Sequence, residues 1–334
     1  MKRFRILISA ILILSTGSVV LYSWASSPPG GSRHVVFEVR RGWGARTIAE
    51  ALQDSGLVRS SLYVIWRAGR LGVASRFEAG EYALDSSMDP DSILLMIASG
   101  DVIPVPTTWV TLPEGLTLDQ SLEALSASLD IPPDSMREAA SESPLLDSLG
   151  IPDLEGYLFP ETYEFADTLG AAEVIDRVVR TGLERWDPSW DTDLPAIGLT
   201  RVQAVILASI VEREAKLDEE RPLVSGVFLA RLRRGMRLES CATVQYSLGE
   251  VRERLSLADL RVESPYNTYL HAGLPPGPIC SPGTASLSAV ANPDTTEGYL
   301  YFVSREDGTG GHLFATSLTG HLANIRSVRS GGTH

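Results

Sequence analysis

One stretch, LTRVQAVILASIVERE (Leu199–Glu214), constrains this chain more than any other, because it reads as a helix without a polar face. Val202, Ala204, Val205, Ile206, Leu207, Ala208, Ile210 and Val211 lie all round a 3.6-residue helix. A helix apolar on every side has to be enclosed by the rest of its domain. Thr200 and Gln203 form a capping-box pattern that sets its start. Where the apolar run stops, two carboxyls appear two residues apart. At ~100° per residue, Glu212 falls behind Val205 and Ala208, while Glu214 falls about 200° further round, behind Leu207 and Ile210. A carboxyl at the border of burial is desolvated, which raises its pKa toward the range of a general acid. Lys216, four residues after Glu212, is placed for an i,i+4 pair that would oppose the shift. Periodicity leaves the choice between the two acids open, and a helix that simply becomes solvated gives the same pattern.

The amino terminus fixes where such a domain works. Lys2, Arg3 and Arg5 precede a charge-free stretch from Ile6 to Trp24. As a helix that stretch rises roughly 28 Å, close to the ~30 Å hydrocarbon core of a bilayer. Basic residues before the span and none just after it put the N-terminus in the cytoplasm. The expectation is a single-pass anchor at 6–24 in the inner (cytoplasmic) membrane, behind a cytoplasmic tail at 1–5, with the rest of the chain outside. A cleaved signal peptide ending near SWASS is the competing reading. Residues 25–33 (ASSPPGGSR) read as a flexible linker, since prolines, glycines and serines leave nothing to bury.

The 334 residues suffice for two domains. Between 34 and 101 the pattern is strand, two helices, strand and helix, with Asp89 as N-cap, Pro90 in the first turn and Gly100 closing the last helix. This β-α-α-β-α unit resembles a LysM-type module, which implies recognition of wall glycans; a spacer of the same topology is the alternative. From 102 to 329 the pattern is that of a larger α+β domain, so the fold class expected is α+β. A net charge of -13 argues against nucleic acid, whose phosphates demand excess Lys and Arg. Five scattered histidines with no HExxH, and two cysteines without CxxC spacing, point to no metal site and no cofactor.

Five blocks then occur in order: LEGYLFPETYEF (154–165), ASIVERE (208–214), ATVQYSLG (242–249), SPYNTYLHAGLPPGPICSPG (264–283), and YLYFV followed by GGHLFATSLTGH (310–321). Together they resemble the MltG/YceG family of endolytic murein transglycosylases, over roughly Val35 to Arg326. The resemblance implies cleavage of the MurNAc-β-1,4-GlcNAc bond inside nascent peptidoglycan, without water, to leave 1,6-anhydro-MurNAc ends. It implies Glu212 as the catalytic acid and Glu214 as a supporting group. A single carboxyl suffices for that chemistry, first protonating the leaving oxygen and then taking the proton of the MurNAc C6 hydroxyl.

For the glycan it implies contacts from Glu155, Tyr157, Phe159, Glu161 and Tyr163, from Gln245, and from Tyr266, Asn267, Thr268 and Tyr269. Gln245 and Tyr246 are expected to orient the N-acetyl group or the acid. His312 and His321 read as hydrogen-bonded or surface histidines. Cys241 and Cys280, both in the exported part, invite a disulfide. Expected partners are glycan strands and peptidoglycan synthases of the elongation or division machinery. The chain departs from the family at Cys241-Ala242, where many relatives carry Asp-Pro, and at Gly320-His321-Leu322, where many carry Glu-His-Asn. A water-using muramidase and a non-catalytic wall-binding or division scaffold are the rival readings.

Overall fold

The computed structural model describes residues 15–331 except 253. The expected tail at 1–5 and much of the span at 6–24 lie outside the described residues. Residues 15–26 are helical, and among the described residues no single helix is long and apolar enough to cross a membrane. The chain divides into two compact units, 1–105 and 106–334.

The first unit runs β1 (His34–Val39), α1 (Ala45–Asp54), α2 (Ser61–Leu71), β2 (Gly80–Asp85) and α3 (Pro90–Ser99). β1 and β2 pair antiparallel, His34 opposite Asp85 and Val39 opposite Gly80. Alternation turns Phe37, Val39, Tyr82 and Leu84 to one face, where they meet Ile48, Leu52, Ile93 and Ile97 of the helices. α3 begins as its sequence dictates: the Asp89 carboxylate accepts from Ser92 N–H, Pro90 fills the first turn, and Gly100 closes the helix at φ 68°. The break to the second unit falls after Val105, later than the expected Asp101, because Ile103 N–H still donates to Glu81 O at 2.7 Å.

The expected flexible linker at 25–33 is held instead. Arg59 donates from Nε to Pro28 O (2.9 Å) and from Nη2 to Pro29 O (3.3 Å), Ser86 Oγ–H donates to Gly31 O (3.2 Å), and Ala25 is buried. Proline and glycine carbonyls offer acceptors whatever the side chains lack, and the unit supplies the donors.

The second unit begins with β3 (Thr107–Thr111), α4 (Leu118–Leu129), α5 (Pro133–Ser141), α6 (Leu145–Leu149) and β4 (Thr162–Ala166). β3 and β4 pair antiparallel and share a core with α7 (Ala171–Arg185). After α8 (Trp190–Ile197) comes α9 (Arg201–Glu214), the helix without a polar face. Every residue from Ala204 to Val211 is buried, and Thr200 and Gln203 form the capping box. α10 (Arg221–Arg233), α11 (Cys241–Leu248) and α12 (Thr284–Ala291) surround it. β5 (Tyr301–Ser304), β6 (His312–Ala315) and α13 (Leu318–Gly331) close the unit.

Candidate active site

Helix α9 ends in three charged residues, and the fold sends each a different way. Glu212 turns inward, its side chain 6% exposed. Its Oε1 accepts from Arg221 Nη1 at 3.0 Å and its Oε2 accepts from Gly283 N–H at 3.0 Å. Arg221, 8% exposed, also donates to Asp218 and to the Ser286 hydroxyl. An arginine in the first turn of a helix opposes the macrodipole, so its place at the start of α10 reflects these partners. Arg213 donates from Nη1 to Gly115 O at 3.2 Å. Glu214, half-buried, turns toward the start of α11: its Oε1 accepts from Ser240 Oγ–H (2.5 Å) and Ala242 N–H (3.3 Å). Its Oε2 has no hydrogen-bond partner among the described residues.

A cavity of ≈ 470 Å³ opens beside Arg213, between Thr117 and Gln120 of the α4 start, Glu155, and Ala242, Gln245 and Tyr246 of α11; Glu212 and Glu214 are not among the residues that line it. Ala242 and Tyr246 are four residues apart and share one face of α11. Glu155 meets the Tyr246 hydroxyl on that face, while Glu214 meets the Ser240 hydroxyl and the Ala242 N–H at the N-terminus of the helix. Glu155 is buried: Oε1 accepts from Leu118 N–H (3.0 Å) and Oε2 from Tyr246 Oη–H (3.1 Å). Burial pushes its carboxyl up to about 7, against the pull of the Leu118 amide and the Tyr246 hydroxyl. Gly156 makes the insertion possible. Its φ is +81°, and a Cβ there would lie 2.5 Å from Pro278 Cβ.

The site also holds a carboxyl that the sequence did not single out. A Cβ on Gly283 would lie 1.7 Å from Glu114 Oε1, so Glu114 covers the glycine whose N–H holds Glu212. Desolvation, then the Glu212 charge, raises the Glu114 pKa. The available signal was its place between a strand end and the left-handed Gly115, a turn that projects its neighbour. For Arg221 the signal was a cation where a helix start disfavours one.

Of the residues expected to contact glycan, Glu155, Gln245 and Tyr246 line this cavity. Tyr266 sets its ring 4.8 Å from that of Tyr246, and Tyr269 Oη lies 3.3 Å from Cys241 Sγ at the start of α11. Asn267 and Thr268 correct the expectation. Asn267 is 0% exposed and donates to Leu260 O and Val262 O, while Thr268 pairs with the Thr243 hydroxyl and accepts from Ser240 N–H. Their polar groups fix the loop and the α11 start and leave nothing for a sugar. Phe159 and Tyr163 are core residues, Tyr163 donating to Phe159 O at 2.7 Å. Tyr157 packs between the two cores of the unit, and its burial pushes the phenol up to about 12. Glu161 pairs with Arg185 at 2.7 Å in a wider hollow of ≈ 1200 Å³ that no residue of α9 lines.

The disulfide is also corrected: both cysteines are free. Cys280 is buried and donates to Ser209 O at 3.3 Å, whereas Cys241 is exposed beside Tyr269. His312 follows the hydrogen-bonded reading, its Nδ1 2.6 Å from Glu220 Oε2, and the His321 ring stacks on Tyr301. Among the described residues no group of three or more His, Cys, Asp or Glu is placed to hold a metal.

The sequence profile of the YceG-like family matches residues 37–327. The chain belongs to that family. It is 30% identical over 338 residues to an "Endolytic murein transglycosylase" of Streptococcus pneumoniae serotype 2, covering 92% of this chain and 60% of that protein. A Bacillus subtilis protein of the same name is 29% identical over 290 residues, covering 82% of this chain and 79% of its own. The chain thus spans about 60% of the length of the pneumococcal relative. A crystal structure of a "Putative yceG-like Protein" from Listeria monocytogenes superposes with TM-score 0.58 at 28% identity, over 88% of this chain and 99% of that one. The mixed α+β architecture is therefore that of a YceG-like fold.

Proposed function

We propose that this chain is an endolytic lytic transglycosylase that cuts the MurNAc-β-1,4-GlcNAc bond within nascent glycan strands. Family membership and the names of its relatives support the reading, and one observation carries the assignment of the acid. Of the carboxyls of Glu212, Glu214 and Glu155, Glu214 alone keeps an oxygen free of donors among the described residues. In this reading Glu214, rather than Glu212, protonates the glycosidic oxygen as the C1–O bond breaks. As a carboxylate it then takes the C6 hydroxyl proton while that oxygen bonds to C1, giving the 1,6-anhydro ring and restoring the acid. Glu212 holds α9 to α10 and to the 282–284 turn, and Glu155 with Tyr246 shapes the cavity wall.

The same proposal places the span at 6–24 in the cytoplasmic membrane with the two units outside, the first, LysM-like unit meeting wall glycan. Synthases of the elongation or division machinery supply the strands that it trims. Digestion of uncross-linked glycan strands tests the chemistry. Wild type is expected to leave ends lighter by one water than hydrolysed ends, and Glu214→Gln to leave the strands uncut. Ends carrying the added water favour a muramidase, and full cleavage by Glu214→Gln removes the assignment.

A further inference from the structure

Helix α2 of the first unit carries a stripe that the fold does not use. It buries Val64 and Ala68, four residues apart, and turns Leu62, Trp66 and Arg70, also four apart, outward. Leu62 is 77% exposed and Trp66 49%. The outer face of a surface helix ordinarily carries polar residues, so a leucine and a tryptophan in register ask for a partner.

The neighbours of the stripe say which partner. Tyr22, on the helical residues 15–26, sets its ring edge-on to Tyr63 at 5.7 Å and to Trp66 at 6.2 Å. Just before it, Val19, Val20 and Leu21 are all exposed. Guanidinium groups flank the rings: Arg70 lies 6.0 Å from the Trp66 ring and Arg59 5.8 Å from the Trp24 ring. Tryptophan, tyrosine and arginine around protruding aliphatic side chains is the composition of a membrane–water interface, where rings sit at headgroup level and guanidinium groups meet phosphates. Hydrogen bonds also tie the unit to the chain just after the helix. Arg59 ties the carbonyls of Pro28 and Pro29, Arg33 N–H donates to Ser86 Oγ at 3.1 Å, and Ser86 holds Gly31.

We propose that α2 lies in the headgroup–acyl boundary of the outer leaflet, Leu62 and Trp66 dipping toward the acyl chains and Arg59 and Arg70 facing lipid phosphates. The proposal rests on the anchored reading given above. With 6–24 spanning, Tyr22 stands two residues, about 3 Å, from the end of the span. The rings that touch Tyr22 stand at a similar depth. The first unit is then set flat on the membrane in one orientation, at the level where nascent glycan leaves it.

The full chain in nanodiscs of phosphatidylcholine and phosphatidylglycerol tests this. A polarity-sensitive fluorophore is attached to a cysteine at position 62 in a Cys241→Ser background, where the buried Cys280 does not react. Two companions carry Val20→Cys, on the helix at 15–26, and Val36→Cys, exposed on the sheet face turned away from the helices. The probe at 62 is expected to show blue-shifted emission and loss of intensity with doxyl-labelled lipid, as at 20, with neither effect at 36. A probe at 62 that behaves like the one at 36, while 20 is quenched, overturns the interfacial helix and leaves the anchor standing. No quenching at 20 overturns the anchor and the interfacial helix with it.

Discussion

Glutamine at position 212 separates architecture from chemistry. The carboxylate offers two acceptor oxygens, one taken by Arg221 Nη1 and one by Gly283 N–H. Glutamine keeps one acceptor and replaces the other with an NH₂ group, so one of the two donors then faces a donor. A hydrogen bond to a charged group contributes about 1.5–3 kcal/mol, and stripping the partner from a buried charge costs about 3–5 kcal/mol. Arg221 keeps Ser286 and Asp218, but Asp218 is 79% exposed and its charge is screened by water. The expected loss is therefore about 2–4 kcal/mol. At about 2–4 °C per kcal/mol for a unit of this size, Tm falls by roughly 5–15 °C. Glu214→Gln, by contrast, keeps its Oε1 as acceptor for Ser240 and Ala242 and changes only the unpartnered position, so stability moves by less than about 1 kcal/mol.

Activity is expected to run the other way. A general acid contributes about 10²–10⁴-fold; Glu214→Gln loses at least that lower factor, while Glu212→Gln, assayed well below its Tm, stays within about tenfold of wild type. Scanning calorimetry and strand digestion on the three proteins decide the matter. A Glu212→Gln protein with unchanged Tm and no cleavage, beside a fully active Glu214→Gln, would refute the assignment.

The Glu155 carboxyl, raised from 4.5 to about 7 in the fold, stabilises it below pH 4.5 as a neutral acid, and that support is lost as pH rises through 7. Glu155→Gln, neutral throughout, should therefore gain on wild type across that window by up to about 3 kcal/mol in urea titrations; a gap constant with pH would rule the burial argument out. Gly156→Ala forces a side chain into a left-handed turn against Pro278, and a denaturant midpoint lower by at least about 1–2 kcal/mol is expected. Alkylation without reductant should label Cys241 alone in the folded protein and both cysteines after unfolding, as read by mass; no label after unfolding would mean a disulfide.

Much of this was legible because it is local. The capping box at Thr200, the apolar girdle of α9, and the Asp89–Pro90–Gly100 punctuation of α3 depend on neighbours within a few residues. So does the divergence of Glu212 and Glu214 to opposite sides of α9. What each carboxyl meets there is not local. Arg221 arrives nine residues later, and Gly283 far later still, so the locking of Glu212 leaves no trace in the VERE string. Asn267 and Thr268 mislead for a related reason: amides and hydroxyls that grip backbone are the same residue types as those that grip sugar. The 25–33 segment was misread because composition shows what a segment lacks, whereas its order comes from Arg59, an arginine beyond the next helix.

The arrangement of carboxyls also bears on which nucleophile the site can use. Retaining hydrolysis needs a second carboxyl about 5–5.5 Å from the acid to attack C1, and inversion needs one further off to activate a water. Of the neighbouring carboxyls, Glu155 has both oxygens occupied, by Tyr246 and Leu118, and Glu114 stands over Gly283 beside Glu212. In the proposed reading the Glu214 carboxyl acts twice, and the attacking group comes from the substrate. Strands built with 6-deoxy-MurNAc lack that group, so they are expected to bind and remain intact in wild-type digests. A muramidase, drawing on water, would cut them at its ordinary rate, and cleavage of the 6-deoxy strands would show that the nucleophile never was the sugar's own hydroxyl.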